Sequence, residues 1–165
     1  MTQRAAESLY EEDFARWIEQ QARALRELGR EGANLPLDWE NLAEEIEALG
    51  RSERRELRNR LATILLHLLK LEASPAAQPR AKWRETVRRE RREVMRGVLR
   101  DSPSLRVEVA GMIAVELPDA KALAAENLEE HGELDDAAQA RLTAASYTEA
   151  QVLGDWFPDA PEARA

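Results

Sequence analysis

Apolar residues recur every three or four positions along most of this chain, which is the period of an amphipathic α-helix. The longest such ladder follows Asp38, a residue type that favours a helix N-cap. Its members are Leu42, Ile46, Leu49, Leu57, Leu61, Ile64, Leu65, Leu68 and Leu71. The pattern predicts a helix built for burial over residues 38–71, and Gly50 leaves open whether it is one bent helix or two.

The second half of this ladder lacks a polar face. Within residues 61–71, only Thr63, His67 and Lys70 are not apolar. A helix that is apolar nearly all round belongs in the middle of a bundle. We therefore expect the least exposed positions of the fold to include Leu61, Ile64, Leu65 and Leu68.

Glycine, proline and capping residues divide the remaining sequence into further helices. The predicted helices cover residues 9–28, 38–71, 81–100, 103–118, 119–131 and 135–142. Gly29 and Gly132 are expected to stop the helices before them, and Pro118 is expected to end the helix that begins at Pro103.

No segment alternates between apolar and polar residues as a half-buried strand would. Together these patterns predict an all-α fold. We expect one helical bundle over residues 1–165, with a long central helix or kinked helix pair and shorter C-terminal helices. A length of 165 residues suits a single domain with one core.

The composition mainly indicates where in the cell the protein is expected. The chain is 44% hydrophobic and 34% charged, which is typical of an ordered soluble protein. Its longest apolar run is far shorter than the roughly 20 residues that span a bilayer, so no membrane span is predicted. Without cysteine the chain has no disulfide and no thiolate metal ligand, which favours a cytoplasmic location.

The net charge of −8 is distributed unevenly along the chain. Residues 1–50 carry −7 and residues 101–165 carry −10, whereas residues 51–79 carry +3 and residues 80–100 carry +6. Blocks of opposite charge can pair within one molecule, across a dimer, or with an outside partner. A homodimer is predicted, with an unidentified protein partner as the alternative.

The basic block contains the candidate interaction surface. Four of its arginines share one flank of the predicted helix: Arg84, Arg88, Arg91 and Arg92. Such a row could follow a nucleic-acid backbone. The alternative, favoured by the overall charge of −8, is that the protein's own acidic segments neutralise these arginines.

Signals of catalytic chemistry are sparse. The two histidines, His67 and His131, do not stand at a spacing that builds a metal site, and no phosphate-binding glycine loop or nucleophile motif is present. We therefore predict no metal, no cofactor and no catalytic residues. His67 is expected in the core or at its boundary, and His131 as a cation near a helix C-terminus.

A set of polar and aromatic residues is predicted to fix helix packing rather than bind a ligand. The set consists of Asp13, Trp17, Trp39, Asn41, Glu44, His67 and Trp83. The three tryptophans stand at helical core spacing, and Asp13 and Asn41 could hydrogen-bond between the first two helices. Glu44 shares a helix face with Glu40 and Glu47, which are expected to pair with arginines or face solvent rather than chelate a cation.

Several short motifs resemble one known family. They are residues 37–53, the pair Asp13 and Trp17, the run His67-Leu68-Leu69-Lys70, Trp83 with Thr86, and Ser102-Pro103-Ser104-Leu105. Over residues 9–106 they are similar to the bacterial family known as domain of unknown function twenty-nine. The resemblance implies a mostly helical bacterial protein, and it implies no activity and no site residues.

Three functions stay open on the sequence alone. The favoured hypothesis is a non-catalytic interaction or regulatory module. The alternatives are a nucleic-acid-associated or antitoxin-like regulator that uses residues 80–100, and a hydrolase without a recognisable motif.

Overall fold

The all-α fold is confirmed. The computed structural model describes residues 3–32 and 35–161, with side chains from residue 8 onward, and these residues contain helices and no strand. The α-helices are α1 (Gln3–Glu12), α2 (Phe14–Arg30), α3 (Trp39–Ala73), α4 (Arg80–Glu93), α5 (Leu99–Asp101), α6 (Val109–Glu130), α7 (Asp136–Ala144) and α8 (Glu149–Leu153). A π-helical turn, Val94–Val98, joins α4 to α5, and a 3₁₀ segment, Pro103–Glu108, precedes α6.

Contacts along the chain define two compact units. The first unit comprises Met1–Leu57 and Arg96–Val107, and the second comprises Arg58–Met95 and Glu108–Ala165. Each unit therefore combines two stretches of sequence, because α3 begins in the first unit and ends in the second. The single domain over residues 1–165 stays a prediction.

One continuous helix, α3, covers 35 residues, which settles the choice between one helix and two. Asp38 caps it, since its Oδ1 accepts a hydrogen bond of 3.2 Å from the backbone N–H of Asn41. Gly50 lies inside the helix, where a Cβ atom would stand 3.3 Å from Cγ2 of Ile18. The missing side chain lets α2 approach α3 closely, which outweighs the poor helix propensity of glycine.

The buried seam of α3 in the first unit differs from the predicted one. Leu42 and Leu49 were expected in the core, but they are 40% and 45% exposed. The buried positions are instead Ala43, Gly50 and Leu57, which follow the adjacent heptad row. Small side chains at two of these positions allow the backbones to come together, so the largest apolar residues are not the buried ones here.

The prediction of one helix over residues 9–28 was also wrong. The chain forms two helices, because Asp13 interrupts the first and caps the second through a 3.1 Å bond from Arg16 N–H. Gly29 does not end α2, which continues to Arg30. A Cβ atom at Gly29 would lie 2.9 Å from Cβ of Trp39, so this glycine serves close packing instead.

The second unit contains the predicted apolar core. Leu61, Ile64, Leu65 and Leu68 are fully buried, as expected from the missing polar face of α3. Buried residues from other elements of the unit accompany them, among them Val87, Val94, Val109, Leu128, Leu142 and Val152.

Two helix boundaries in the second half of the chain were mispredicted. Pro118 does not end a helix, because α6 runs through it from Val109 to Glu130. Ile113 and Ala120 are buried on either side of the proline. They are seven residues apart and lie on the same face of the continuous helix. The basic helix, in contrast, is interrupted by the π-helical turn at Val94–Val98. Gly132 does close α6, with a φ of +68° that favours glycine.

Leu65→Ala should destabilise the protein by about 2–5 kcal/mol, because it removes buried methyl groups and leaves a cavity in the core. Urea denaturation of wild type and variant measures the change. Leu123→Ala in α6 is the matched control, since Leu123 is 45% exposed and its truncation should cost less than about 0.5 kcal/mol. An unchanged midpoint for Leu65→Ala would place the core elsewhere.

Candidate functional site

Arg91 of α4 belongs to the predicted interaction surface, yet only 6% of it is exposed. Its Nε donates a hydrogen bond to the carbonyl of Val152 at 2.8 Å, and its Nη2 donates to the carbonyls of Gln151 and Trp156 at 2.7 Å each. These carbonyls lie at and beyond the end of α8, where a helix offers no backbone donors. Arg91 therefore anchors the C-terminal segment to α4.

The same segment places an aromatic ring among the arginines of α4. The guanidinium carbons of Arg84, Arg88 and Arg91 lie 5.5, 5.3 and 4.7 Å from the ring centroid of Phe157. Cations within about 6 Å of a ring are attracted to its face. Three of the four predicted surface arginines thus contact the protein's own tail.

Charge on α4 is balanced in part by a buried carboxylate. Glu90 pairs with Arg60 of α3 at 2.9 Å and with its neighbour Arg89 at 3.0 Å. Burial lowers the pKa of Arg91, while Asp155 acts in the opposite direction. Arg92 is exposed. An interaction surface built from Arg84, Arg88, Arg91 and Arg92 stays a prediction.

The predicted polar and aromatic cluster falls into two groups in different units. In the first unit, Asp13 accepts hydrogen bonds from the backbone N–H and the hydroxyl of Ser104, at 3.0 and 2.9 Å. Ser102 supports the same junction, since its Oγ accepts a 3.2 Å bond from Ala15 N–H. Trp17 stacks in this region on Phe14, with ring centroids 5.8 Å apart. Asp13 thus ties α2 to residues 102–104 rather than to α3.

Residues at the start of α3 form a separate contact with α2. Asn41 Nδ2 donates to Oδ2 of Asp38 at 2.6 Å, and Glu44 is exposed. Glu40 and Glu47 both pair with Arg26 of α2. The hydrogen bond from Arg26 lowers the pKa of the Glu47 carboxyl. These partly exposed pairs orient the two helices more than they stabilise them.

His67 and Trp83, the other two members of the predicted cluster, line a pocket in the second unit. The pocket has a volume of about 290 Å³, and His131 lines it as well. Nδ1 of His67 lies 2.9 Å from the carbonyl oxygen of Thr63, and Nδ1 of His131 lies 2.7 Å from that of Asn127. A carbonyl oxygen accepts only, so each Nδ1 carries the proton and each Nε2 of the neutral ring holds a lone pair.

Lys70 and Lys82 are the lysines that line this pocket, and Lys70 is the more buried of the two. Its Nζ donates a 3.1 Å hydrogen bond to Oδ1 of Asn127 and lies 4.8 Å from the ring centroid of Trp83. Glu133 also lines the pocket, but its carboxylate accepts the hydroxyl proton of Ser74. Burial lowers the pKa of Lys70, and Glu133 opposes that change.

The sequence analysis expected His67 in the core or at its boundary and missed the pocket. The feature of the sequence that could have indicated the pocket is the set of three polar residues in the apolar half of α3. Thr63, His67 and Lys70 stand at i, i+4 and i+7, so they share one helix face. His131, 64 residues after His67, gave no such signal.

Residues 3–32 and 35–161 contain no group of three or more His, Cys, Asp or Glu side chains that could share a metal ion. Within the same ranges, no helix is both long and apolar enough to cross a bilayer.

An exposed row on α3 is a further candidate surface. We call it the leucine stripe: Asp38, Leu42, Glu45, Leu49 and Ser52. All five are exposed and follow one another at spacings of four and three, so they lie on one face of the helix. Leu35 and Leu37, just before the helix, are exposed too.

Comparison with known proteins identifies the family. The model for the Domain of unknown function DUF29 matches residues 9–157. The chain belongs to the DUF29 family. It also resembles a solved structure, an alpha-helical protein of unknown function from Rhodospirillum rubrum, with 30% identity and a TM-score of 0.71 over 87% of this chain and 88% of that one. No curated protein matches the chain.

Arg91→Met should destabilise the protein by about 2–4 kcal/mol, because three carbonyls lose a charged donor. Urea denaturation measures the loss, and hydrogen exchange should show faster exchange at residues 149–153. Arg92→Met is the control, since it removes an exposed arginine next in sequence and should change stability by less than about 0.5 kcal/mol. Equal effects of the two variants would contradict the anchoring role of Arg91.

Acid should destabilise the protein through His67, whose pKa is lowered by burial. The unfolded chain then takes up this proton at a higher pH than the folded one. The stability contribution is therefore complete above the ordinary histidine pKa of about 6.5 and is lost as the pH falls below it. Urea unfolding between pH 8 and 5 should show a shallower decline for His67→Gln than for wild type; parallel curves would argue against this.

Proposed function

We propose that this DUF29 protein is a non-catalytic interaction module, and that the leucine stripe of α3 docks a basic amphipathic helix of a partner protein. The observation that carries the proposal is the exposure of Leu42 and Leu49, at 40% and 45%, on one face of a long helix. Leucines seven residues apart lie two turns from each other, which is the spacing at which a second helix packs.

The charges on the stripe favour a basic partner. Asp38 and Glu45 alternate with the two leucines, and residues 1–50 carry a net charge of −7. Lysine or arginine beside the apolar face of a partner helix would complement these carboxylates and speed association. Acidic and neutral partner helices lack this complement.

A second copy of the chain, the homodimer predicted from sequence, fits the stripe less well. Parallel pairing would align Asp38 with Asp38 and Glu45 with Glu45 of the other copy. Antiparallel pairing about the centre of the stripe would still bring the two Glu45 carboxylates together. Like charges brought together across an interface oppose association.

The nucleic-acid alternative has less support than the protein partner. Arg91 is buried, and Arg84 and Arg88 contact Phe157 together with it. A polyanion would have to displace the tail or use the remaining arginines against an overall charge of −8. A hydrolase has no observation in its favour beyond the histidine pocket.

We also propose that the protein acts in the bacterial cytoplasm. The solved relative comes from the bacterium Rhodospirillum rubrum. The absence of cysteine is compatible with a reducing compartment and supports the proposal only weakly.

Two synthetic helical peptides test the docking proposal. One has leucines at its a and d positions and lysines elsewhere, and the other has glutamate in place of every lysine. We expect the basic peptide to bind in a salt-dependent manner and the acidic peptide not to bind. The double variant Leu42→Glu/Leu49→Glu should lose at least about tenfold in affinity by calorimetry, equivalent to about 1.4 kcal/mol.

This double variant separates docking from general charge attraction. It adds two carboxylates, so attraction by charge alone would make the basic peptide bind more tightly. Val107→Glu is the control, because Val107 is 88% exposed in the same unit and lies outside the stripe. Tighter binding by the double variant, or equal binding of both peptides, contradicts the proposal. Self-association that the double variant abolishes would replace the basic partner with a second copy.

A further inference from the structure

The pocket in the second unit brings together both histidines of the chain, two lysines and an indole ring. We propose that it is a binding site for a small aromatic oxyanion, either a carboxylate or a phosphate monoester. The inference is independent of the leucine stripe, because no residue of the stripe lines the pocket.

Lys70 determines the sign of the ligand's charge. Its ammonium group donates one hydrogen bond to Asn127, and burial lowers its pKa while the charge of Glu133 acts in the opposite direction. Glu133, a carboxylate that lines the same pocket, accepts a hydrogen bond from the Ser74 hydroxyl, and the two lysines of the lining outweigh its single negative charge. A half-buried ammonium group bonded only to a neutral amide gains most from an anionic oxygen. Lys82, a second cation in the lining, adds to this attraction.

The histidines and Thr86 supply adaptable hydrogen bonds around that anion. The Nδ1 protons of His67 and His131 are held by backbone carbonyls, so the Nε2 atoms are the ring positions left for a ligand. A neutral ring accepts a proton from an acid or phosphate hydroxyl at Nε2, and a protonated ring donates to an anionic oxygen there. Thr86 lines the same pocket, and a hydroxyl can donate or accept.

The indole ring and the pocket size restrict the rest of the ligand. Trp83 and Leu128 form an apolar wall, and a flat ring beside an indole gains stacking energy. The volume of about 290 Å³ lies just below the usual range of ligand pockets, about 300–1,000 Å³. A single aromatic ring with one acidic group fits this space, whereas a dinucleotide exceeds it.

A bound metal ion is the less favourable occupant. Two imidazole nitrogens could begin a coordination sphere, but the lysine ammonium groups beside them would repel a cation. The third ligand is also missing, since no group of three suitable side chains occurs in the described ranges.

Histidine-selective NMR tests the proposal directly. Because His67 and His131 are the only histidines of the sequence, ring signals from isotope-labelled histidine report on this pocket alone. The probes are benzoate, phenyl phosphate, inorganic phosphate and neutral benzamide, at constant ionic strength and neutral pH. We expect saturable shifts of both rings with benzoate or phenyl phosphate at a Kd below about 1 mM, and none with benzamide.

Three variants assign the binding to the proposed groups. Lys70→Met should weaken binding at least about tenfold, because it removes the ammonium and keeps the side-chain stem. Lys121→Met is the matched control, since Lys121 donates to the carbonyl of Thr143 and does not line the pocket. Lys82→Met removes an exposed charge and should weaken binding several-fold without a cost in folding. Circular dichroism verifies that each variant is folded.

The outcomes separate the ligand classes. Stronger shifts with benzoate identify a carboxylate site, and stronger shifts with phenyl phosphate identify a phosphate site. Equal affinity for phenyl phosphate and inorganic phosphate would refute the aromatic part of the proposal. The absence of saturable shifts up to about 10 mM, or binding that folded Lys70→Met and Lys82→Met both retain in full, would overturn the site.

Discussion

The burial of residues 61–71 of α3 constrains the rest of the second unit. A helix that is apolar nearly all round is stable only when other elements cover every side of it. Polar contacts at the edge of this core connect α3 with α4, α6, α7 and the segment before α8. They join Arg60 with Glu90, Lys70 with Asn127, Arg141 with the carbonyl of Ala73, and Tyr147 with Glu72. The apolar surface supplies the stability, and these few polar pairs determine which segment lies where.

The positive charge of α4 is explained by the C-terminal segment that packs against it. The C-terminal segment brings the unpaired carbonyls at the end of α8 and the ring of Phe157 against α4. Arg91, with Arg84 and Arg88, provides the donors and the cations that such a segment requires. An arginine-rich helix does not by itself indicate an external polyanion, because carbonyls and aromatic rings of the same chain can bind the guanidinium groups. The sequence suggested neutralisation by acidic residues, and Arg91 shows a further kind of partner, because its acceptors are backbone oxygens, which no charge count includes.

Large apolar side chains at helical spacing were sufficient to predict the core of the second unit. They were misleading in the first unit, where the buried row contains Ala43 and Gly50 and the row with Leu42 and Leu49 faces out. Small residues are buried because the partner backbone comes close, and that distance depends on the partner helix as much as on α3.

Pro118 does not end its helix for a related reason. A proline inside a helix costs about 3 kcal/mol, and burying one or two large side chains in register can offset that.

The polar exceptions on α3 carried information that the apolar ladder did not. Replacing a leucine by lysine within an otherwise apolar helix places an ammonium group where burial disfavours its charge. Lys70 hydrogen-bonds a neutral amide and lies over the face of Trp83, and the charge of Glu133 offsets only part of the cost of burial. As a purely structural residue it would be less stabilising than methionine of similar length. An anion bound beside it would restore the missing partner, so the occupancy of the pocket and the stability of the second unit should be linked.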